Sequence, residues 1–367
     1  MASHSVSVIV PTYREAGNIP ALVARLDAVR ADHELELELV LADDNSRDGT
    51  EEAVARAGKP WVRLLVRTTD RGLSPAVLHG LRVASHDTFV VMDADLSHPP
   101  EKIPELLAAL EGGADFAIGS RYAPGGTTDA EWGLFRWLNS KVATMLARPL
   151  TSVRDPMSGY FALRRSTFER ARELNPIGYK IGLELLVKCG CSRPKEVPIH
   201  FADRTVGESK LTLKEQIKYL QHLRRLLIFK YPNWSYLLQF AAVGLSGTFV
   251  NLVVLTLLVW AHVPDAAALA GGVIVSFLGN FWLNRRFTFS YARQGPLLVQ
   301  FVGFAGACGL GLVTNYVVAL AFRQGFPAIP IQVAACVGIV AGMGLNYLMS
   351  RYLVFRKPSG SEKKPAQ

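Results

Sequence analysis

Four stretches of this chain, residues 237–260, 266–284, 296–322 and 324–350, contain no Asp, Glu, Lys or Arg. At 1.5 Å of rise per helical residue, each is long enough to cross a hydrocarbon layer of about 30 Å. In lipid, backbone amides must find their partners within the segment, so these stretches are constrained to be helices. Residues 1 to about 230 instead mix charged and apolar positions as globular α/β chains do. The expected layout is a soluble front half over 1–210, an amphipathic interface segment over 211–233, an all-α four-helix transmembrane domain over 234–357, and a disordered tail over 358–367.

The formal charge of +9 raises the question of nucleic acid, but no recognisable nucleic-acid module accompanies it. A basic membrane-facing surface and anionic substrates account for the charge more simply. The four cysteines, a lone Cys189-x-Cys191 and Cys308 and Cys336 within apolar stretches, form neither a zinc spacing nor a disulfide framework. The strand-like run Ser5–Val10 begins almost at once, without the basic and apolar regions of a signal peptide, so the front half is expected in the cytosol.

Within that half, strand patterns alternate with helical ones. Ser5–Val10 leads to a polar loop and a helix from Ile19 to Val29. The segment from His33 to Leu41 alternates into a second strand that breaks at the acceptor-dense Asp43-Asp44-Asn45-Ser46-Arg47-Asp48. Val62–Val66 is a third strand, and Phe89–Met92 a fourth that stops at Asp93-Ala94-Asp95. This spacing predicts a doubly wound, mainly parallel sheet, with ligands gathering at the carboxyl ends of its strands. The first strand–helix turn lacks Gly-x-Gly-x-x-Gly, which argues against a Rossmann dinucleotide site.

Residues two apart in an extended chain share a side, so Asp93 and Asp95 can converge on one hard cation such as Mg²⁺ or Mn²⁺ bridging a diphosphate. The competing reading is a strand-end turn with solvated aspartates. Arg121 after a further strand, Arg136 on a helical stretch, and Arg204 and Lys210 on one short loop are ordinary surface charges taken singly. Together, near one crevice, they suggest a phosphate clamp.

Seven segments occur in order: Val10-Pro11-Thr12-Tyr13-x-Glu15, Asp43-Asp44-x-Ser46-x-Asp48-Gly49-Thr50, Arg71-Gly72-Leu73, Met92-Asp93-Ala94-Asp95-Leu96-Ser97-His98, Gly119-Ser120-Arg121-Tyr122, Asp155-x-x-Ser158-Gly159 and Arg204-x-x-Gly207-x-Ser209-Lys210-Leu211. Over residues 5–230 the chain thereby resembles the dolichol-phosphate mannose synthases. The resemblance implies a family 2 glycosyltransferase of GT-A fold that moves a hexose, mannose from GDP-mannose, onto a polyprenyl or dolichyl phosphate with inversion. A UDP-glucose-dependent transferase and a lipid-phosphosugar translocator or scaffold are the rivals.

Carried over by position, Pro11, Tyr13, Glu15, Asp43 and Ala94 would hold the nucleotide sugar, and Asp93 and Asp95 both the metal and the diphosphate. Arg121, Arg204 and Lys210 would bind phosphates, with Arg121, Arg136, Ser209 and Lys210 at the acceptor. Asp155 is the one candidate base and is expected to orient a cation or the sugar. Where some members have a metal-ligating Gln, this chain has Ser97, whose place as a direct ligand is open.

The segment from Leu211 to Tyr231 sets apolar residues at helical spacing between Lys214, Lys218, Arg224, Arg225 and Lys230, as a basic helix lying in a membrane interface does. The competing reading is a surface helix packed on the globular core. The spans contain a duplication: Asn280–Phe289 parallels Asn346–Phe355, and Gln239-Phe240 is paired with Gln300-Phe301. Arg285, Arg286, Arg293, Arg351, Arg356 and Lys357 flank one side against Arg323 alone on the other, which predicts cytoplasmic termini. Residues 237–356 resemble a GtrA-like domain.

Overall fold

The computed structural model describes residues 5–128, 134–202 and 213–356. The chain divides into two compact units, Met1–Lys230 and Tyr231–Gln367.

In the first unit the chain runs β1 (Ser5–Thr12), α1 (Ile19–Asp32), β2 (Glu36–Asp43), α2 (Thr50–Ala57), β3 (Val62–Val66), α3 (Leu73–Val83), β4 (Thr88–Val91) and α4 (Ile103–Glu111). It continues through β5 (Phe116–Ser120), β6 (Thr127–Thr128), α5 (Leu134–Ala147), β7 (Phe161–Arg164), α6 (Arg165–Phe168), α7 (Ile181–Lys188), β8 (Pro194–Pro198), β9 (His200–Phe201) and α8 (Leu213–Lys230). The sheet order is β3-β2-β1-β4-β7-β5-β8, with β7 antiparallel to both its neighbours and the other pairings parallel.

Strand β1 is buried on both faces. Val6, Val8 and Val10 meet Leu22 and Leu26 of α1, while Ile9, pointing the other way, meets Val77 and Leu81 of α3. Helix α3 comes this close because Gly80 lies over Ile9, where an added Cβ would stand 2.5 Å from Cγ2. The strand order reverses direction at β1, so β2 and β4 flank it and the loops beyond their carboxyl ends open a crevice at the switch point. Register makes this specific: Thr12 pairs with Asp43, and Ile9 with Val91.

Helix α8, expected within a separate interface segment, packs onto this first unit. Its Leu223 and Leu226 join Leu183 and Val187 of α7 and Ala147 of α5 in a third apolar cluster. The Tyr219 hydroxyl donates to the Ala143 carbonyl and Lys230 to that of Leu150, each at 2.7 Å. Ile217 and Leu220 remain 48% and 54% exposed, so apolar side chains also face outward.

In the second unit α9 (Pro232–Trp260) pairs with α10 (Asp265–Leu283), and α11 (Leu297–Gly325) with α12 (Ile331–Met349). Counting the π-helical turns 284–288 and 350–354 that prolong α10 and α12, these are four helices, among the described residues, long and apolar enough to span a membrane. The duplication is visible in the packing. Gly247 seats Asn280 and Gly272 seats Asn251; in the second hairpin Gly311 seats Asn346 and Gly338 seats Asn315. Phe289 and Phe355, at equivalent places after the two π turns, stack with centroids 5.0 Å apart.

These contacts correct one pairing. Phe240 corresponds to Phe304, both buried among the aromatic rings, and not to Phe301. The two alignments differ by about one helical turn, which leaves apolar residues on nearly the same face, so only the inter-helix contacts distinguish them.

Candidate active site

Side chains of the β1 and β2 ends are tied to one another. The Asp43 carboxylate, 2% exposed, accepts from Thr12 Oγ1 at 3.0 Å, from the Ser46 backbone N–H at 2.8 Å and from the Ser46 hydroxyl. Ser46 Oγ in turn accepts from the Arg14 N–H at 2.9 Å. Neighbouring Asp44 pairs with buried Arg67 and accepts from the Gly72 N–H at 2.5 Å, which draws the β3–α3 loop to the same rim. Asp43, expected at the nucleoside, therefore shapes the floor of that crevice through its protein partners.

Above this floor Tyr13 is 42% exposed, with the Arg14 and Arg71 guanidinium carbons 5.4 and 5.1 Å from its ring centroid. A half-exposed aromatic ring beside two cations is chemistry that suits a planar base next to phosphates. Glu15 Oε2 accepts from Asn18 at 2.6 Å. Pro11 lies at the end of β1 beside Ala42.

At the end of β4 the chain turns through Leu96, whose φ of +61° is unusual for a side chain with a Cβ. This turn lets Ser97 cap Asp95: its N–H and hydroxyl reach Asp95 Oδ1 at 3.2 and 2.6 Å. Ser97 therefore donates to the carboxylate from both its backbone and its side chain. The Asp93 side chain is 30% exposed, Asp95 is buried, and Ala94 between them is buried. Among the described residues no cluster of three or more His, Cys, Asp or Glu side chains could hold a metal by itself. Two aspartates completed by diphosphate oxygens is nonetheless the donor set Mg²⁺ and Mn²⁺ take in nucleotide sites, so the residues present fit such an ion.

Across the crevice, Arg121 at the end of β5 meets Asp155. Arg121 Nε and Nη2 each lie 2.7 Å from a carboxylate oxygen, and the Arg121 N–H donates to the same group at 3.1 Å. Asp155 is fully buried. Burial works against the guanidinium's charge, but the bonds to Asp155 outweigh it and raise the Arg121 pKa. Its carbon also sits 5.2 Å from the Phe201 ring centroid. Asp155 thus pairs with the Arg121 guanidinium through both carboxylate oxygens. Arg136 lies on α5; Arg204, Ser209 and Lys210 lie outside the described residues.

Residues 7–172 match glycosyl transferase family 2, and residues 239–357 the GtrA/DPMS transmembrane domain. The chain is 41% identical to the dolichol-phosphate mannosyltransferase of Pyrococcus furiosus over 95% of its own length and 99% of that protein. The chain belongs to the dolichol-phosphate mannosyltransferase family. It is 47% identical to the Saccharomyces cerevisiae dolichol-phosphate mannosyltransferase over 61% of this chain and 88% of that one. Glucosyl-3-phosphoglycerate synthase from Mycobacterium tuberculosis, solved with Mn²⁺, UDP-glucose and phosphoglyceric acid, superposes with a TM-score of 0.47 at 21% identity, covering 62% of this chain and 79% of that one.

As a member of this family the chain is a glycosyltransferase with a membrane domain. Sequence reasoning missed several residues that build its site: Thr12 and Ser46 on Asp43, Arg71 on Tyr13, and His98. The last is fully buried and accepts the Asp93 N–H on Nδ1 at 3.0 Å. Burial lowers its pKa against the pull of Asp93 and Asp95. His98 stood inside the fourth motif, but nothing in the linear sequence says which way its ring turns.

Proposed function

We propose that the protein transfers mannose from GDP-mannose, with inversion, onto a polyprenyl or dolichyl monophosphate. The observation that carries this reading is the commitment of Asp155 to Arg121. A hydroxyl acceptor needs a base, whereas a phosphate monoester has a second pKa of about 6 and is largely dianionic at pH 7. The acceptor oxygen forms its bond to the sugar C1 as the bond from C1 to the donor diphosphate breaks, and no proton need leave the acceptor.

Tyr13, with Pro11 and Glu15, holds the nucleoside over the floor made by Asp43. Asp93 and Asp95 would hold a divalent cation, whose charge would offset that of the diphosphate and make it a better leaving group. Arg121, kept rigid by Asp155, and Arg136, Arg204, Ser209 and Lys210 draw the acceptor phosphate toward an anionic donor that would otherwise repel it. Helix α8 presents Ile217 and Leu220 to the lipid surface. The excess of arginine after α10 and α12 supports a cytoplasmic side for the catalytic unit and both termini.

Full-length protein given a panel of nucleotide sugars, Mg²⁺ or Mn²⁺, and a short polyprenyl phosphate should form a labelled lipid from GDP-mannose. Robust transfer only from UDP-glucose would overturn the donor assignment. Binding of lipid phosphosugar without turnover of any donor would favour the translocator.

A further inference from the structure

We infer that His98 is a positioning residue for the metal-holding loop: its Nδ1, as an acceptor for the Asp93 N–H, fixes the direction in which the Asp93 carboxylate presents itself to the cation. The inference rests on the reading of Asp93 and Asp95 as the metal ligands.

The hydrogen bond spans the turn 93–98 at 3.0 Å, closing it from within. Because Nδ1 accepts, the ring proton resides on Nε2, and the imidazole is neither a base nor a metal ligand through the nitrogen that faces Asp93. The ring has little freedom to turn. It is 2% exposed, stacks on Tyr160 with centroids 5.2 Å apart, and meets the Phe201 ring edge-on at 5.5 Å. Tyr160 is itself fixed, since its hydroxyl donates to the Pro99 carbonyl at 2.9 Å and its ring covers Gly119, where a Cβ would stand 2.7 Å from Cδ1.

His98 also touches the loop that carries Asp155. A Cβ on Gly159 would lie 3.4 Å from His98 Cε1 and 3.6 Å from each oxygen of Asp93. One imidazole thus holds the Asp93 turn while packing against the segment that delivers Asp155 to Arg121. In metal sites, partners behind the ligands set their orientation, and their loss weakens binding about 10–100-fold.

The test uses full-length protein in detergent and three substitutions. Asn places its carbonyl oxygen where Nδ1 stands and keeps an acceptor for the Asp93 N–H; Gln reaches toward Nε2, and Leu offers no acceptor. Mn²⁺ affinity is read by the electron paramagnetic resonance signal of the free ion in the presence of GDP, GDP affinity without metal by calorimetry, and folding by the thermal midpoint. His98→Asn should bind Mn²⁺ within about threefold of the unsubstituted protein, whereas His98→Gln and His98→Leu should weaken Mn²⁺ about 10–100-fold with metal-free GDP binding retained. Should the Leu variant fail to fold, the Asn and Gln pair still decides. Equal Mn²⁺ affinity in the Asn and Gln variants would overturn the role of His98. Failure of the unsubstituted protein to bind Mn²⁺ would remove the metal reading itself, and this inference with it.

Discussion

Arg121 and Asp155 face each other fork to fork, with Nε and Nη2 both 2.7 Å from the two carboxylate oxygens and the acid fully buried. Such a pair fixes a planar cation in one orientation, and removing one partner leaves an uncompensated buried charge worth about 3–5 kcal/mol. The only carboxylate of the Asp-x-x-Ser-Gly loop is thereby committed to a cation.

Asp155→Asn should lower turnover, because Arg121 loses its anchoring charge. The limb of the pH–rate profile near the acceptor's second pKa of about 6 should persist. Measuring kcat between pH 5 and 8 with a phosphate acceptor checks this. If the limb vanished with the substitution, Asp155 would be the base and the acceptor would not bring its own nucleophile.

Asp93→Ala and Asp95→Ala should both abolish metal-dependent transfer, yet differ in stability. The Asp93 side chain is 30% exposed, so its loss should leave the thermal midpoint nearly unchanged. Asp95 is buried and accepts twice from Ser97, so its removal strands those donors at about 1–3 kcal/mol. Thermal unfolding beside a transfer assay separates the two. Full activity of either variant, or of the parent in EDTA, would refute the metal assignment.

Helix α8 is fastened by a buried cluster in which Glu184 accepts from His222 Nε2 at 2.6 Å and from Lys188 at 2.7 Å. Burial alone would raise the Glu184 carboxyl, but the bonds from His222 and Lys188 outweigh it and hold its pKa at about 2. A depressed carboxylate stabilises the fold above its unfolded value near 4.5 and ceases to do so as pH falls toward about 2. Glu184→Gln should therefore be less stable at neutral pH and show a flatter fall in stability across that window. Parallel slopes in thermal midpoint against pH would show that the cluster does not fasten the helix.

In the membrane unit, a Cβ on Gly311 would stand 2.9 Å from the Gly342 carbonyl and 3.2 Å from Asn346 Cβ. Gly311→Val should force α11 and α12 apart and reduce the yield of monodisperse protein in detergent. The same substitution at Gly309, which has open space, should be tolerated. Similar chromatographic profiles for both variants would contradict this packing.

The amino-acid pattern alone determined the division into an α/β half and four uncharged spans. Burying β1 on both faces demands its run of Val and Ile, and a charge is costly in a spanning helix. It also placed Asp93 and Asp95 at a strand's carboxyl end, because an apolar run that stops at two acids has few other ways to fold. Tertiary structure decided what each side chain faces. Asp43 turned inward to Thr12 and Ser46, Ser97 to Asp95, His98 to the Asp93 N–H, and α8 onto α7 through His222 and Glu184. These are hydrogen bonds set by loop dihedrals and by contacts across long sequence separations. Likewise, Phe240 and Phe304 were matched only by the aromatic cluster that surrounds both, since a helical pattern shifted by about one turn looks nearly the same in one dimension.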